Sequence, residues 1–527
     1  MNMIFLPIDE RFATRGYFLY LARLADVGVL TPPISMLGKK KHPADIERIY
    51  NWLLSKGTPD VDYLIASVDL LLYGGLVPSR ISIDSSTTLL KRLRVLEEVK
   101  RRVPQMKIFI SSSIQRIPDY NSDDEEPQWS AYLGKTINKW TRTLAKYKYS
   151  YDQMALHTLK EITAHIPSDI LNEFVLRRYA KMVVNKRLIH LIRDGVVDFL
   201  NITLDDNGRD SLSAHEGRIL REYSHALGVE DKVSIHSGAD EANLSMLSRA
   251  ITDQIGEEVE FYISYALPEH KDDIPFLESE PLSRTIKAFV NLSGGKVSNE
   301  YSEDGILMVV NNFSGSQTSI EYPFASKKRR LFEDVMDRVK RHKGVDCFID
   351  LRYSNAGDPD FVEKTFSLKL PYKKVSYAGW NTASNSIGSA VTHAIILYLF
   401  DKGYIHNPHF DEVQSAYLFL RFLEDWGYQA HVRNMLRQEL MNRVLWKQMD
   451  IPDEFPYSSA ICTTDLERAF CLMNQEKWAV DFVKNQLSNY ADKIQKYLGK
   501  GYNFDVYFPW HRTFEIGIGL SEEERFV

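Results

Sequence analysis

The sequence predicts an α/β protein whose N-terminal part alternates strands and helices as a β/α barrel or an open parallel sheet does, and a TIM-barrel-like domain is expected. Short apolar runs alternate with helical stretches from residue 4 to about residue 265. Two of these runs, at 198–204 and 233–236, have between them the spacing of a parallel βαβ unit. The first of the two stops on the adjacent carboxylates Asp205 and Asp206. Because catalytic groups in such folds follow the strands, the pattern that predicts the fold also indicates a candidate site.

Three regions are expected along the chain. They are a β/α barrel-like catalytic domain at 1–275, a smaller α/β domain at 276–400 and a mainly helical region at 401–527. The full length of 527 residues is too great for one ordinary core. Prolines in an acidic, loop-like patch mark the first boundary, and short strands separated by helices follow it. Beyond the second boundary, apolar residues recur at three-to-four spacing, which predicts helices.

Composition and charge exclude several classes of protein. Apolar residues make up 44% and charged residues 26%, which indicates a soluble globular chain. The net charge of −6 offers nothing to attract a polyanion, so a nucleic-acid partner is not expected. Cys347, Cys462 and Cys471 form no CxxC pair, which favours a reducing cytoplasm. The sequence shows neither the pattern of a signal peptide nor a long apolar run, so no membrane segment is expected. The oligomeric state stays open.

Asp205 and Asp206 follow one strand, and Asp240 and Glu241 follow the next. Two neighbouring strands that end in acid pairs would place up to four carboxyl groups on one rim. Repulsion between crowded carboxyls splits their pKa values, which leaves one proton donor and one anion near neutral pH. These four residues are therefore the candidate catalytic groups. Asp and Asn-Gly are also ordinary turn and N-cap residues, so a purely structural role stays open.

Polar side chains at other strand ends are candidates for substrate binding. They are Asp9, Arg11, Asp69, Tyr73, Arg80, Arg116 and Asn355. Gly74-Gly75 would let the backbone approach a ligand closely, and no phosphate-loop motif surrounds it. The alternative for each position is an ordinary buried strand end or charged loop. The acidic quartet at 123–126 is expected to be a solvated loop.

The turn from Gly379 to Gly388 is the most specific feature of the second predicted domain. Trp380 offers an apolar face to a sugar ring, and Asn381 and Asn385 offer paired donors and acceptors. The alternative is an exposed, N-capped helix start. Because pockets favour strand ends and the seams between domains, we expect this turn and the acid pairs to share one site.

Together these stretches resemble one bacterial family, the domain of unknown function 4127. The resemblance spans nearly the whole chain and rests on Pro7-Ile8-Asp9-Glu10-Arg11, Asp69 to Arg80, Asp205-Asp206, Gly238-Ala239-Asp240-Glu241, Gly379-Trp380-Asn381-Thr382 and Asp425 to Arg433. It implies no established activity. Phe12 stands where such proteins more often have proline, which affects only the geometry of the first loop.

Asp205-Asp206 after an apolar strand also resembles the acid pair of substrate-assisted β-N-acetylhexosaminidases. In those enzymes one acid orients the acetamido group of the substrate and the next protonates the leaving oxygen. The resemblance therefore implies that Asp205 orients the acetamido group and that Asp206 is the general acid. The Gly-Ala-Asp-Glu stretch is similar to the acid pair of other hexosaminidases. By that likeness, Asp240 and Glu241 would hold sugar hydroxyls or take over the acid role.

The sequence thus favours a glycoside hydrolase that acts on a small amino-sugar glycoside, with no metal and no other cofactor. A divalent-metal hydrolase is one alternative, with Asp9, Asp69, Asp205 and Asp240 as an oxygen cage for Mg²⁺ or Mn²⁺. A carbohydrate-binding protein without hydrolytic activity is another. No HExxH, Walker loop, GxSxG elbow, dinucleotide fingerprint or zinc-type spacing is present in the sequence.

Overall fold

The computed structural model describes residues 1–319, 332–440, 442 and 476–520, so Cys462 and Cys471 lie outside the described residues. The strands are β1 Asn2–Leu6, β2 Gly28–Leu30, β3 Tyr63–Ser67, β4 Lys107–Ile114, β5 Phe199–Leu204, β6 Val233–Ser237, β7 Val259–Tyr265, β8 Gly295–Ser298, β9 Ile306–Asn311, β10 Thr318–Ser319, β11 Val345–Asp350, β12 Tyr353–Ser354, β13 Val375–Ala378, β14 Asp505–Tyr507 and β15 Gly517–Gly519.

The helices alternate with these strands over most of the described chain. They are α1 Phe12–Leu24, α2 Ile46–Lys56, α3 Val68–Tyr73, α4 Leu76–Ile81, α5 Ser86–Leu93, α6 Val95–Arg102, α7 Ser130–Ser150, α8 Gln153–Thr163, α9 Ser168–Arg193, α10 Leu212–Ala226, α11 Ala242–Ile255, α12 Leu282–Leu292, α13 Glu333–Arg341, α14 Pro359–Ser367, α15 Ala383–Asp401, α16 Phe410–Phe422, α17 Arg433–Leu440 and α18 Glu476–Leu498. A π-helical stretch, Leu423–Val432, lies between α16 and α17.

The first compact unit comprises Met1–Glu10, Val27–Ala250 and Ile274–Ala288. It contains a six-stranded sheet of order β2-β1-β3-β4-β5-β6 in which all neighbouring strands are parallel. The α/β class and the parallel βαβ unit around β5 and β6 are therefore confirmed. In a TIM barrel each strand pairs with its predecessor and successor, whereas here β1 lies between β2 and β3. These pairings do not show the predicted TIM barrel, and closure of the sheet stays a prediction.

The central strands of this sheet are buried on both faces, whereas the edge strand β2 is largely exposed. Strand β3 and the last seven residues of β4 are buried throughout, as is β5. Strands covered on both faces are apolar runs without alternation, which is why the sequence pattern located them correctly. All the carboxyl ends of these strands lie at one edge of the sheet because the strands are parallel. That edge carries the acid pairs.

The second compact unit comprises Arg11–Asp26, Ile251–Asp273 and Phe289–Val527. Its main sheet has the order β13-β11-β9-β7-β8, again with parallel neighbours throughout. The sequence pattern grouped β7 with the N-terminal strands, but β7 pairs with β8 and β9 in this sheet. The predicted domain boundaries at 275 and 400 stay predictions.

Helix α15 carries the longest apolar sequence among the described helices. By length and composition it could cross a membrane, with a mean hydropathy of 1.2. However, 89% of that window is buried inside the protein, as expected for a helix in the core of a folded unit. The cytoplasmic location inferred from the sequence stays a prediction.

Candidate functional site

Asp205 is a buried carboxylate paired with an arginine. Its backbone N–H donates to the carbonyl of Ile114 at 3.0 Å, which ties the end of β5 to the end of β4. Both Nε and Nη2 of Arg80 donate to its Oδ2, at 3.0 and 2.6 Å. The two side chains are 5% and 4% exposed. Oδ1 of Asp205 makes no hydrogen bond to the described residues. One oxygen of the carboxylate is thus held firmly, and the other is available to a ligand.

Asp206 differs from its neighbour because solvent reaches it. Nη1 of Arg116 donates to its Oδ2 at 2.9 Å, and 29% of its side chain is exposed. Its backbone has a φ of +26°, which is uncommon outside glycine. Desolvation by the surrounding protein, followed by the charge of Asp205, raises the pKa of Asp206. Solvent therefore reaches a carboxyl that binds its proton more tightly than an ordinary aspartate does.

Two glutamates of the acidic quartet at 123–126 complete this network, which corrects the expectation of a solvated loop. Oε2 of Glu125 accepts from Nη1 of Arg80 at 2.8 Å and from Nη2 of Arg116 at 3.1 Å. Oε1 of Glu126 accepts from Nε of Arg116 at 2.8 Å. The glutamate side chains are 11% and 6% exposed. Arg80 is buried and the Arg116 side chain is only 11% exposed, so both require carboxylate partners, and the loop supplies them.

Asp240 and Glu241 follow β6 and are both buried. Oε2 of Glu241 accepts the N–H of Ala239 at 3.2 Å, and Oε1 makes no hydrogen bond to the described residues. Burial is the main cause that raises the pKa of Glu241 to about 8, and the charges of Asp240 and Glu278 add to it. Glu241 is therefore mostly protonated at neutral pH. Since it is only 1% exposed, its predicted contact with a sugar is not evident, and its role stays a prediction.

Asp69 and Tyr73 lie on helix α3, which the Ser67 hydroxyl caps by accepting the Asp69 N–H at 3.1 Å. Oδ1 of Asp69 accepts from Nζ of Lys181 at 2.5 Å and from the Ser113 hydroxyl at 2.9 Å. The Lys181 ammonium lies 4.5 Å from the centre of the Tyr73 ring. Asp69 is only 1% exposed, so this carboxylate is already satisfied inside the protein.

The carboxylate cage for a metal ion would need Asp9, Asp69, Asp205 and Asp240 to converge. Within the part of the chain that the structure describes, no group of three or more His, Cys, Asp or Glu side chains is arranged to hold a metal ion. Asp69 and Asp205 are instead paired with the cations described above. Asp9 is buried, at 4% exposure.

Arg11 belongs to the second unit. Its Nη1 donates to Oε2 of Glu515 at 3.3 Å, and its guanidinium lies 4.2 Å from the centre of the Trp510 ring. It is 3% exposed. The C-terminal segment thus engages this side chain, and the predicted contact with a substrate stays a prediction.

Asn355, Asn381 and Asn385 come together in the second unit. The N–H of Asn355 donates to the carbonyl of Asn381 at 3.0 Å, and both residues have left-handed backbones, with φ of +63° and +68°. The N–H of Asn385 donates to the Thr382 hydroxyl at 3.4 Å, which caps α15. Asparagine tolerates the left-handed region better than most residues, which accounts for its use at both turn positions. The helix cap considered from the sequence is therefore present, but the start of the helix is buried and not exposed.

Trp380 is buried in this turn, at 1% exposure. Its ring centre lies 5.8 Å from that of Phe514, and its carbonyl accepts the Ser386 hydroxyl at 3.0 Å. Its indole N–H has no hydrogen-bond partner among the described residues. A sugar could stack on this ring only after the side chain becomes exposed, so the stacking role and the shared site stay predictions.

The comparison with protein families decides the relationship that the motifs suggested. Residues 3–519 match the family described as Protein of unknown function (DUF4127). The chain belongs to this family. The resemblance stated from the motifs is thereby confirmed, whereas the resemblance to hexosaminidases is not shown. No curated protein and no solved structure matches this DUF4127 chain.

Sequence reasoning missed one buried polar face in this DUF4127 protein. Arg177, Lys181 and Asn185 are all buried on α9 and recur every four residues, so they share one side of the helix. Lys181 pairs with Asp69, and the Asn185 side chain accepts from the Ser112 hydroxyl at 2.7 Å. The four-residue repeat of long polar side chains inside an otherwise apolar helix was the signal that could have revealed this face.

A second missed cluster lies in the second unit, where the Tyr17 hydroxyl donates to Oε2 of Glu424. Burial first, and then the charge of Asp425, raises the pKa of Glu424 to about 8. Burial also raises the pKa of Asp425 to about 6, against the opposing charge of Arg421. Oδ2 of Asp425 accepts from Nη2 of Arg421 at 2.6 Å and from the N–H of Gly379 at 2.8 Å. These contacts hold Gly379 at the start of the turn that contains Asn381 and Asn385.

Proposed function

We propose that this protein is a glycoside hydrolase that acts on a small amino-sugar glycoside at the carboxyl end of β5. The observation that carries the proposal is the unequal environment of two adjacent carboxyls. Asp205 is buried and paired with Arg80, whereas Asp206 is solvent-accessible with a raised pKa. Such a difference lets one carboxyl remain an anion while its neighbour carries a proton.

Asp206 is the proposed general acid. Glycoside cleavage needs a proton on the leaving oxygen as the bond to the anomeric carbon breaks. Nη1 of Arg116 holds Oδ2 of Asp206, and Oδ1 makes no hydrogen bond to the described residues, so Oδ1 is free to carry that proton. The raised pKa extends the pH range in which the proton is present. Deprotonation at higher pH is therefore expected to reduce turnover.

Asp205 is proposed to orient the acetamido group of the substrate. Its free Oδ1 can accept the amide N–H while Arg80 keeps Oδ2 in place. The substrate acetamido oxygen would then attack the anomeric carbon and form a cyclic intermediate, which water opens in a second step. The proton that Asp206 gives to the leaving oxygen is recovered from that water, so no metal or other co-reactant is required.

A panel of para-nitrophenyl glycosides tests the proposal, with N-acetylglucosamine and N-acetylgalactosamine compounds beside their glucose and galactose counterparts. We expect turnover only of the acetamido compounds, and we expect it to resist EDTA. Turnover that EDTA abolishes would support the metal-dependent alternative. Saturable binding of the sugars with no turnover would support the carbohydrate-binding alternative. Either result contradicts the proposal.

Variants assign the roles of the two acids. Asp206→Asn should lower turnover by roughly 10²–10⁴-fold, the usual contribution of general acid catalysis. The loss should shrink for dinitrophenyl glycosides, because a better leaving group needs less protonation. Asp210→Asn is the matched control, since this exposed aspartate lies in the same loop. Equal losses for good and poor leaving groups would exclude Asp206 as the general acid.

A further inference from the structure

A narrow cleft in the first unit adjoins the acid pair. Arg80 and Arg116, which hold Asp205 and Asp206, also line this cleft. Its volume is about 410 Å³ when space open to solvent is included, and its enclosed part has room for roughly two or three water molecules. The cleft therefore admits a group of a few atoms and not a whole sugar ring.

Four of the residues that line the cleft are arginines, each of which is paired with a carboxylate. Besides Arg80 and Arg116 the lining contains Arg177 and Arg178, and Glu126 is the only carboxylate among the lining residues. Burial raises the pKa of Glu126, against the opposing charges of Arg116 and Arg80. The fork of a guanidinium group matches the oxygens of carboxylate, sulfate and phosphate better than any other side chain does.

Arg177 is the arginine of this cleft whose charge is compensated least. Its Nη2 pairs with Glu173, but 39% of the Glu173 side chain is exposed to solvent, which weakens the pair. Its Nε donates to the carbonyl of Ser82 at 3.2 Å, and its Nη1 makes no hydrogen bond to the described residues. Burial lowers the pKa of Arg177, so an anion beside it would relieve an unfavourable charge.

Aromatic side chains form another part of the wall. The Arg177 guanidinium lies 5.9 Å from the centre of the Trp129 ring, and the Arg178 guanidinium lies 5.8 Å from that of Phe174. Both distances are within the range of a cation–π contact. Charge-assisted hydrogen bonds strengthen in such surroundings.

We infer that this cleft binds the anionic substituent of an acidic sugar, a carboxylate, sulfate or phosphate carried by the saccharide whose glycosidic bond lies at Asp206. This inference rests on the proposed glycosidase function for the identity of the ligand. The anion-binding property itself rests only on the cleft, its four arginines and the available donor of Arg177. The substrate class is thereby narrowed to anionic amino-sugar glycosides.

Binding of simple anions to the full-length protein tests the cleft without any need for turnover. The probes are inorganic sulfate, inorganic phosphate and glucuronate, each titrated by calorimetry against chloride at equal ionic strength, with glucose as the neutral counterpart of glucuronate. We expect saturable binding of at least one anion and none of glucose. Arg177→Gln should weaken that binding at least tenfold, and Arg177→Lys, which keeps the charge but loses the fork, should give an intermediate value.

Arg187→Gln is the matched control, because Arg187 lies on the same helix in exposed ion pairs with Glu97 and Asp194. It should bind the anions as the unaltered protein does. Absence of anion binding by the unaltered protein would overturn the inference. Equal affinities for Arg177→Gln and Arg187→Gln, with both variants folded by circular dichroism, would also overturn it.

Activity measurements separate this inference from the proposed function. If both hold, the ratio of kcat/KM for anionic over neutral acetamido glycosides should fall at least tenfold in Arg177→Gln. Anion binding without any glycoside turnover would overturn the glycosidase proposal and leave the anion site standing. Turnover of neutral glycosides without anion binding would overturn the anion site alone.

Discussion

Replacing Glu241 by glutamine should change how the stability of the protein depends on pH. The pKa of Glu241 is raised to about 8 by burial, against 4.5 for an ordinary glutamate. The folded protein therefore holds this proton more tightly than the unfolded chain does. The stability that comes from the protonated group is complete below pH 4.5 and is lost as the pH rises from there to about 8. Glutamine carries no such proton, so Glu241→Gln removes this loss.

The size of this change in stability follows from the shift in the pKa of Glu241. One bound proton changes the free energy of unfolding by at most about 1.4 kcal/mol per pH unit. As the pH rises from 5 to 7, the free energy of unfolding of the unaltered protein should thus fall by about 2–3 kcal/mol relative to that of Glu241→Gln. Burial lowers the pKa of His236 to about 4, which gives a slope of opposite sign. Both proteins contain that histidine, so the comparison between them removes its contribution.

Thermal melts of both proteins at pH 5, 6 and 7 measure this difference. The Tm of Glu241→Gln minus that of the unaltered protein should increase by roughly 5–10 °C as the pH rises from 5 to 7. This range assumes about 2–4 °C per kcal/mol for a unit of this size. Glu222→Gln, at an exposed position on α10, is the control and should show a constant gap. A constant gap for Glu241→Gln as well would refute the assignment of a buried, protonated carboxyl.

Two further predictions concern buried contacts of the same sheet edge. Gly238→Ala should destabilise the protein strongly in urea titrations, because the φ of Gly238 is +134° and an added Cβ would lie 1.8 Å from Oε1 of Glu241. The control is Gly228→Ala, where φ is +66° and no atom lies within 4 Å of the added Cβ, and it should cost only about 1–2 kcal/mol. Equal losses of stability in the two variants would contradict the contact between Gly238 and Glu241. Lys181→Met should lower the free energy of unfolding by about 3–5 kcal/mol in the same titrations, because it leaves Asp69 buried without its cation. The double variant Lys181→Met with Asp69→Leu should regain most of that loss. Additive losses from the two substitutions would exclude the buried pair.

The sequence located the strands well and their neighbours poorly, for one physical reason. A strand buried on both faces is an apolar run, which local composition reveals, as at Tyr63–Ser67 and Phe199–Leu204. Which strands pair depends on contacts between distant parts of the chain, which local composition does not encode. The predicted barrel assumed neighbours in chain order, whereas β1 pairs with both β2 and β3. Strand β7 was misgrouped for the same reason.

Charged residues are conspicuous in the sequence where an apolar strand ends on them, whereas the burial of others depends on partners outside their own loop. Asp205 and Asp206 stood out because an apolar run stops on them. Glu125 and Glu126 lie in a run of four acids that is typical of a solvated loop, and their burial depends on Arg80 and Arg116. An arginine forty-five residues away leaves no mark in the local pattern of the loop. Buried ion pairs of this kind require the fold before they can be identified.

Exposure, and not strand order, is why the proposed general acid is Asp206 and not Asp69. In doubly wound parallel sheets, ligands favour the carboxyl edge where the direction of winding reverses, which in the order β2-β1-β3-β4-β5-β6 lies between β1 and β3. Asp69 follows β3 at that point, but Lys181 and Ser113 occupy its oxygens and it is 1% exposed. Two strands further along the same edge, Asp206 keeps 29% of its side chain exposed. A ligand at this edge therefore meets a closed ion pair at the reversal point and a free carboxyl oxygen beside β5.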